Sequence, residues 1–296
     1  MTRALAHATM ALGLLVAVLM VGSSRGPVAA APVAAAPSRI ISLVPAVTEM
    51  VFAIGAGHAV MGVSSYDHFP AAVESLPRVG GLLDPNIERI IAMRPDLVVV
   101  YATQADLRRQ LDAAGIPQYV YVHKGLAAIS AVIRDLGVRL AAPGAEAAAS
   151  RLDADLAAVR ARVAGRARPR VLVVFGREPG SLRNINASGG VGFLHDMLVT
   201  AGGVNVLADV TRESVQIGAE SVLSLKPDII IELHYGAGLP TLQADRERAV
   251  WNSLGSLPAV RSGRVHLVAG NQFVVPGPRI VDAVRTFADL IHPDTH

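Results

Sequence analysis

ERIIAMRPDLVV, residues 88–99, and ESVLSLKPDIII, residues 220–231, follow one pattern. Each opens on a glutamate, turns through apolar residues at helical spacing, and meets a basic residue followed by Pro-Asp and a β-branched run. A proline pushes the residue before it out of the right-handed helical region, so Pro95 and Pro227 end a helix. Asp96 and Asp228 then start the strand that follows. One helix–strand unit repeated in both halves predicts two α/β lobes.

The neighbouring sequence extends each unit. Residues 39–44 (RIISLV) form a short β-branched run closed by Pro45, and residues 46–54 carry apolar positions at helical spacing before Gly55-Ala56-Gly57 stops them. Residues 60–64, 97–101 and 118–122 read as strands, with helical patterns over 87–93 and 105–114. Strands alternating with helices imply a parallel sheet. In the second half, 170–175, 228–233 and 265–268 read as strands, and 193–200 as a helix halted by Gly202-Gly203. Between the halves, residues 144–165 contain no internal Gly or Pro and are dominated by Ala, Leu, Arg and Glu. They predict one helix of about 33 Å at ~1.5 Å per residue. The boundaries that follow are an N-terminal lobe over 38–142, a backbone helix over 143–168 and a C-terminal lobe over 169–296.

The first 36 residues stand apart. Arg3, an apolar run over 11–21 and then Gly22-Ser23-Ser24 have the layout of a secretory signal peptide, and the Ala/Pro-rich stretch after it reads as a tether. The run is short for a membrane span. An uncleaved N-terminal anchor is the other reading. The chain has no cysteine, which removes disulfides, thiolate metal sites, a Cys nucleophile and a lipidated N-terminal Cys together. Export therefore predicts a protein free in the periplasm. Without Arg3 and Arg25, the 27 basic residues become 25 against 24 acidic ones. With no basic cluster interleaved with aromatics, no nucleic-acid partner is expected.

No motif makes a convincing enzyme. Gly62-Val-Ser-Ser-Tyr66 lacks the second glycine of a nucleophile elbow, no phosphate-binding loop appears, and Gly55-Ala56-Gly57 follows a helix instead of a strand. The nine histidines show no spacing that sets two ligands on one face. His68, His123, His195 and His234 lie near predicted loops, so a bare Zn or Mn site assembled from both lobes stays open as an alternative.

Taken in order, Arg39-Ile-Ile-Ser-Leu-Val-Pro-Ala-Val-Thr-Glu49, Gly62-Val-Ser-Ser-Tyr66 with Phe69-Pro70, Pro77-Arg-Val-Gly80, Asn86-Ile-Glu88, Arg94-Pro-Asp96 and Pro276-Gly-Pro-Arg279 resemble the periplasmic cobalamin-binding proteins of ABC importers. The wider family includes ferric-siderophore and haem binders. The resemblance runs over about residues 39–293 and implies a class III periplasmic binding protein: two Rossmann-like lobes, one rigid backbone helix, ligand held in the cleft and little hinge closure. It also implies no catalytic cofactor, a cobalt corrinoid or ferric chelate as cargo, an ABC permease dimer with its ATPase subunits as partner, and a monomer. Three departures stand out. Gly81-Leu82-Leu83 occupies the place of a tryptophan-bearing segment, the enterobacterial-type disulfide is absent, and aromatics are only 4% of the chain.

Site residues follow from the same likeness. Tyr66 carries over from the Gly-Val-Ser-Ser-Tyr motif. Asn271, Gln272, Phe273, Val274 and Val275 hold the place of the family's ligand loop before Pro278-Arg279, with Phe273 matching in type also. Tyr101 and Tyr235 are the further aromatics available to a pocket, and Arg177, Arg183, Asn184 and Asn186, after a predicted strand, are placed to meet amides, carboxylates or phosphate of the ligand. No metal ligands are assigned. Glu88 and Glu220 share one step of the repeat, and in the family these positions dock on arginines of the transmembrane subunits. A carboxylate there also complements the helix dipole.

Overall fold

A computed structural model describes residues 36–236 and 240–293; the expected leader over 1–36 lies, save for Ala36, outside them. In the first half, β1 (Ile40–Ser42), α1 (Pro45–Ala53), β2 (Val60–Val63), α2 (Ile87–Ala92), β3 (Leu97–Tyr101), α3 (Ala105–Ala113), β4 (Gln118–Tyr121) and α4 (Ile129–Arg139) alternate. The strands form a parallel sheet in the order β2-β1-β3-β4. Helices cover both faces, so Leu97, Val98, Val99 and Val100 are all buried, as an apolar run in a parallel strand requires.

The backbone helix α5 (Ala145–Val163) is about 29 Å long at ~1.5 Å per residue. Ala145, Ala149, Leu152, Leu156, Val159 and Val163 recur every three or four residues and make its buried stripe. The helix is shorter than the stretch 143–168, because Ala164 is extended and Gly165 takes a positive φ of 73°. It packs against α4, where Gly137 is needed: a Cβ there would lie 2.2 Å from that of Ala145.

The second half contains β5 (Arg170–Gly176), β6 (Ile185–Ser188), α6 (Phe193–Thr200), β7 (Val204–Asn205), β8 (Ser214–Ile217), α7 (Ala219–Leu225), β9 (Ile229–His234), α8 (Thr241–Val250), α9 (Pro258–Arg261), β10 (Val265–Ala269) and α10 (Ile280–Ile291). Its sheet runs β10-β9-β5-β6-β8, with β7 beside β5. Here the expectation of a purely parallel sheet is corrected. β10, β9 and β5 are parallel, but β6 pairs antiparallel with both β5 and β8, since the chain after β5 turns straight back through Asn184 at φ 51°.

The repeated Pro-Asp step has a structural purpose. Asp96 precedes β3 and accepts hydrogen bonds from the backbone N–H groups of Ser38 (2.8 Å) and Arg39 (2.9 Å), at the entry of β1. Asp228 does the same before β9, accepting from Arg170 N at 2.9 Å at the entry of β5. Arg39 in turn donates to the carbonyls of Met93 and Arg94, which follow α2, and Arg170 to that of Leu225, the last residue of α7. Arg94 and Lys226 both take the left-handed conformation, φ 50° and 46°, outside the right-handed region that the following proline disfavours. Each aspartate thus stands one residue before its strand and ties it to the neighbouring one.

A single apolar cluster joins the inner faces of the two sheets through α1, α5 and α10, from Val44, Val47 and Met50 to Val284, Phe287 and Ile291. Separate outer clusters back each sheet, one around Ile90, Val98 and Leu111, the other around Trp251, Leu172 and Ile230. No helix among the described residues is long and apolar enough to cross a membrane.

Candidate ligand-binding cleft

Both sheets direct the carboxyl ends of their parallel strands at the space between them, where α/β folds hold ligands. From the first lobe, Tyr101 ends β3, Tyr121 ends β4, His123 follows, and Pro45-Ala46 open α1. From the second come Phe175 near the end of β5, His234 at the end of β9 and the segment 271–276 after β10. A cavity of about 270 Å³ lies between Tyr101, Tyr121 and His123 on one side and Phe193, Val274 and Val275 on the other. It shares Phe193 and Val274 with a second cavity of about 290 Å³, which reaches Glu213 and Ser214. Through Phe175 that one meets a third, about 230 Å³, under His234 and Tyr235. A larger cavity, about 360 Å³, is on the outer side, at the corner of α1, α5 and Pro278, away from the strand ends.

Among the described residues, three residue pairs are joined through a side chain between the lobes. Arg279, just before α10, grips the Glu49 carboxylate of α1 with Nε at 3.1 Å and Nη2 at 2.5 Å, while its guanidinium lies 4.0 Å over the Phe69 ring. Gly277 permits this approach, since a Cβ there would stand 2.7 Å from Glu49 Oε2. Tyr235 Oη donates to the carbonyl of Tyr66 at 3.3 Å. Leu126 N donates to Asp196 Oδ2 at 2.8 Å. The loop bearing Tyr66 is fixed at its base by Asp67, whose carboxylate accepts from Ser64 N and Oγ.

Burial dominates the electrostatics of the cleft. It raises the carboxyls of Glu49, against the pull of Arg279, and of Asp67, against its hydrogen bonds from Ser64. It pushes the Tyr101 phenol up to about 12. Burial also lowers the His123 imidazole, outweighing Glu213 and Asp196, so this ring is neutral near pH 7.

Tyr66 stands at the rim, 53% exposed, with Tyr235 opposite it. Tyr101 meets Tyr121 edge to face at 6.0 Å, and Val274 and Val275 line the cavity. Asn271 Oδ1 accepts from Gly236 N at 2.9 Å, and the Gln272 amide lies against Gly270 in the space a Cβ would fill. Arg183 is exposed and paired with Glu178; Asn186 donates to the carbonyl of Asn184. Two expected contact residues are placed differently. Arg177, its side chain 2% exposed, is closed in by Glu232 (3.0 Å), Glu247 (2.9 Å) and the face of Trp251. Phe273, 3% exposed, stacks on Phe287 in the shared core at 6.2 Å. On the segment after β10, Phe273 is thus withdrawn into the core while Val274 and Val275 line the cavity.

The histidines do not converge. His68 faces Glu74, His195 meets Asn205, and His234 approaches Glu232. Among the described residues no group of three potential ligands could hold a metal ion. Tyr121, Phe175, Phe193 and Glu213 are cleft residues outside every motif. For Tyr121, Phe175 and Phe193 the signal was present, since the first lies in a predicted strand, the second closes one and the third opens a predicted helix. For Glu213 it was not, because its placement depends on β8.

Two α/β sheets facing each other across a cleft, with one helix spanning them and no hinge strands, define a solute-binding protein of the helical-backbone type. The chain belongs to the periplasmic binding protein family, whose model matches residues 40–269. A vitamin B12-binding protein of Salmonella choleraesuis is 37% identical over 256 residues, 86% of this chain and 90% of the relative. An uncharacterized ABC transporter substrate-binding lipoprotein of Bacillus subtilis, YvrC, is 30% identical over 267 residues, 88% of this chain and 81% of its own length. The crystal structure of the periplasmic vitamin B12 binding protein of Vibrio cholerae superposes with a TM-score of 0.74 at 26% identity, covering 86% of this chain and 96% of that one.

Proposed function

We propose that this chain captures a cobalamin-type corrinoid in the periplasm, as a monomer, and delivers it to the permease of an ABC importer. The observation that carries the choice of ligand is the charge of the cleft. Its three cavities are lined by aromatic and aliphatic side chains with His123, His234, Ser214, Gln243, Glu213, Glu232 and Glu247, no lysine, and one arginine, Arg177, already paired with Glu232 and Glu247. Haem carries two carboxylates, and a catechol-type ferric chelate is more anionic still; either calls for an arginine or lysine to meet it. A corrinoid presents amides around an apolar macrocycle and suits tyrosines, valines and backbone groups. The Salmonella and Vibrio relatives named for vitamin B12 support the same choice.

Delivery is assigned to Glu88 and Glu220. Both are exposed in the first turns of α2 and α7, and neither forms an ion pair with a described residue. The N-terminus of α2 is already capped by Asn86, whose side chain accepts from Arg89 N at 2.9 Å, so Glu88 is not needed as a cap. The test of the ligand is a visible-absorbance titration of purified protein with cyanocobalamin, haemin and a ferric trihydroxamate. Cyanocobalamin is expected to bind most tightly; tightest binding of either iron chelate overturns the corrinoid assignment.

A further inference from the structure

Glu213 lines the cleft just before β8, and its side chain has no hydrogen-bond or ion-pair partner among the described residues. Its backbone is fixed, because the carbonyl accepts from Gly189 N at 3.1 Å. The side chain is given its place by Gly192: a Cβ there would stand 2.9 Å from Glu213 Cγ and 3.2 Å from Oε1. With φ at 88°, position 192 also disfavours any residue that would fill this space. The carboxylate is felt across the cleft by Tyr121 and His123 of the other lobe. At Tyr121 it adds to the upward push of burial; at His123 it opposes the downward one.

Among the described residues it forms no ion pair. His123 is kept uncharged by burial, Arg177 is enclosed by Glu232 and Glu247, and Asp196, the other carboxylate at this edge, is occupied by Leu126 N. A carboxylate offers acceptors only. Against a ligand amide it makes a charge-assisted hydrogen bond; against a ligand carboxylate it sets two like charges together.

We infer that Glu213 sets the charge selectivity of the cleft, admitting a chelate whose edge presents N–H donors or positive charge and rejecting one whose edge presents carboxylates. It rests on the placement of a chelate in this cleft, proposed above, but not on which macrocycle is bound.

Two ligand pairs separate those questions: cyanocobalamin with a derivative whose peripheral amides are hydrolysed to carboxylates, and haem dimethyl ester with free haem. Each is titrated into the wild type, Glu213→Gln and Glu213→Lys, with thermal unfolding as a check that these exposed substitutions leave the fold intact. On whichever pair binds, the wild type is expected to prefer the uncharged edge by at least about tenfold, Gln to bring the preference within about threefold, and Lys to reverse it. If only the haem pair binds and the preference moves as described, the corrinoid assignment fails and the role of Glu213 stands. A preference unchanged in both variants overturns that role, and failure of the wild type to bind either pair overturns it along with the cleft placement.

Discussion

Replacing Arg279 by alanine removes the cation from Glu49 and leaves the carboxylate where water cannot reach it. Only 4% of the Glu49 side chain is exposed, and burial already raises its pKa with Arg279 in place. Breaking a buried ion pair from one side costs about 3–5 kcal/mol, since the remaining charge stays desolvated. The stacking on Phe69 at 4.0 Å is lost as well, a contact of ~0.5–2 kcal/mol. For a chain of this size ~1 kcal/mol shifts the midpoint by ~2–4 °C, so the combined loss of about 3.5–7 kcal/mol is expected to lower Tm in Arg279→Ala by roughly 7–28 °C. Differential scanning calorimetry measures this, with the single tryptophan, buried Trp251, as a fluorescence probe in the other lobe. Two further variants fix the cause. Glu49→Gln keeps hydrogen-bonding capacity without the charge and should cost less, and the pair Glu49→Leu with Arg279→Met should recover most of the loss, as apolar replacements of buried ion pairs do. A Tm within about 2 °C of wild type for Arg279→Ala would refute the claim that this pair anchors one lobe to the other.

The sign of the pH response follows from the raised carboxyls. Glu49 and Asp67 hold protons in the folded chain at pH values where their unfolded counterparts, with ordinary values of 4.5 and 3.8, have lost them. Their stabilising contribution is therefore complete below the unfolded values and lost as pH rises through the folded ones. His123, shifted the other way, contributes stability above its ordinary 6.5 that is lost as pH falls through its lowered value. Glu49→Gln should accordingly gain less stability than wild type on acidification above pH 4.5, read as Tm against pH; parallel curves would rule out a raised Glu49. Tyr66→Ala should weaken cyanocobalamin binding with Tm nearly unchanged, whereas Phe273→Ala should cost about 3–5 kcal/mol of stability, and the opposite split would reverse their assigned places. Reversal of both Glu88 and Glu220 to Lys is expected to abolish uptake in reconstituted vesicles while ligand affinity in solution persists; full transport by that variant would remove them from docking. Small-angle scattering with and without ligand should give nearly the same radius of gyration, and a large drop would contradict a stiff backbone.

What was legible in the sequence was local. The basic–Pro–Asp step recurs because a proline and a carboxylate act within a few residues of themselves, and Arg94, Asp96, Lys226 and Asp228 sit in matching geometry in both lobes. The stripe of α5 was legible for the same reason. The antiparallel strands β6 and β8 were not, since INAS and SVQI are short, half polar and held mainly by pairing with each other. Nor was the fate of Arg177: its position after a strand resembles that of a ligand-binding arginine, but Glu232 and Glu247, which enclose it, come from β9 and α8. Phe273 fits the family by type and position, yet Phe287 one helix later draws it into the core. In each case a residue's chemistry was plain and its partner was not.

Stiffness and selectivity have a common origin in this fold. Because α1, α5 and α10 carry one continuous core between the sheets, separating the lobes would expose Val47, Leu152, Phe287 and their neighbours to water, at about 25 cal/mol for each Å² of apolar surface. Closure around a ligand is opposed by the same packing, and by Glu49–Arg279 and Asp196–Leu126, which already span the gap. If the cleft neither opens nor closes far, it cannot bring distant charges to its ligand. On the proposed reading its discrimination then comes from groups already in position: the tyrosines at the ends of β3 and β4, the valines after β10, and the unpaired carboxylate of Glu213. On the reading proposed above, release would require an outside force on the lobes, and the exposed Glu88 and Glu220, one on each lobe, are where a two-fold permease would apply it.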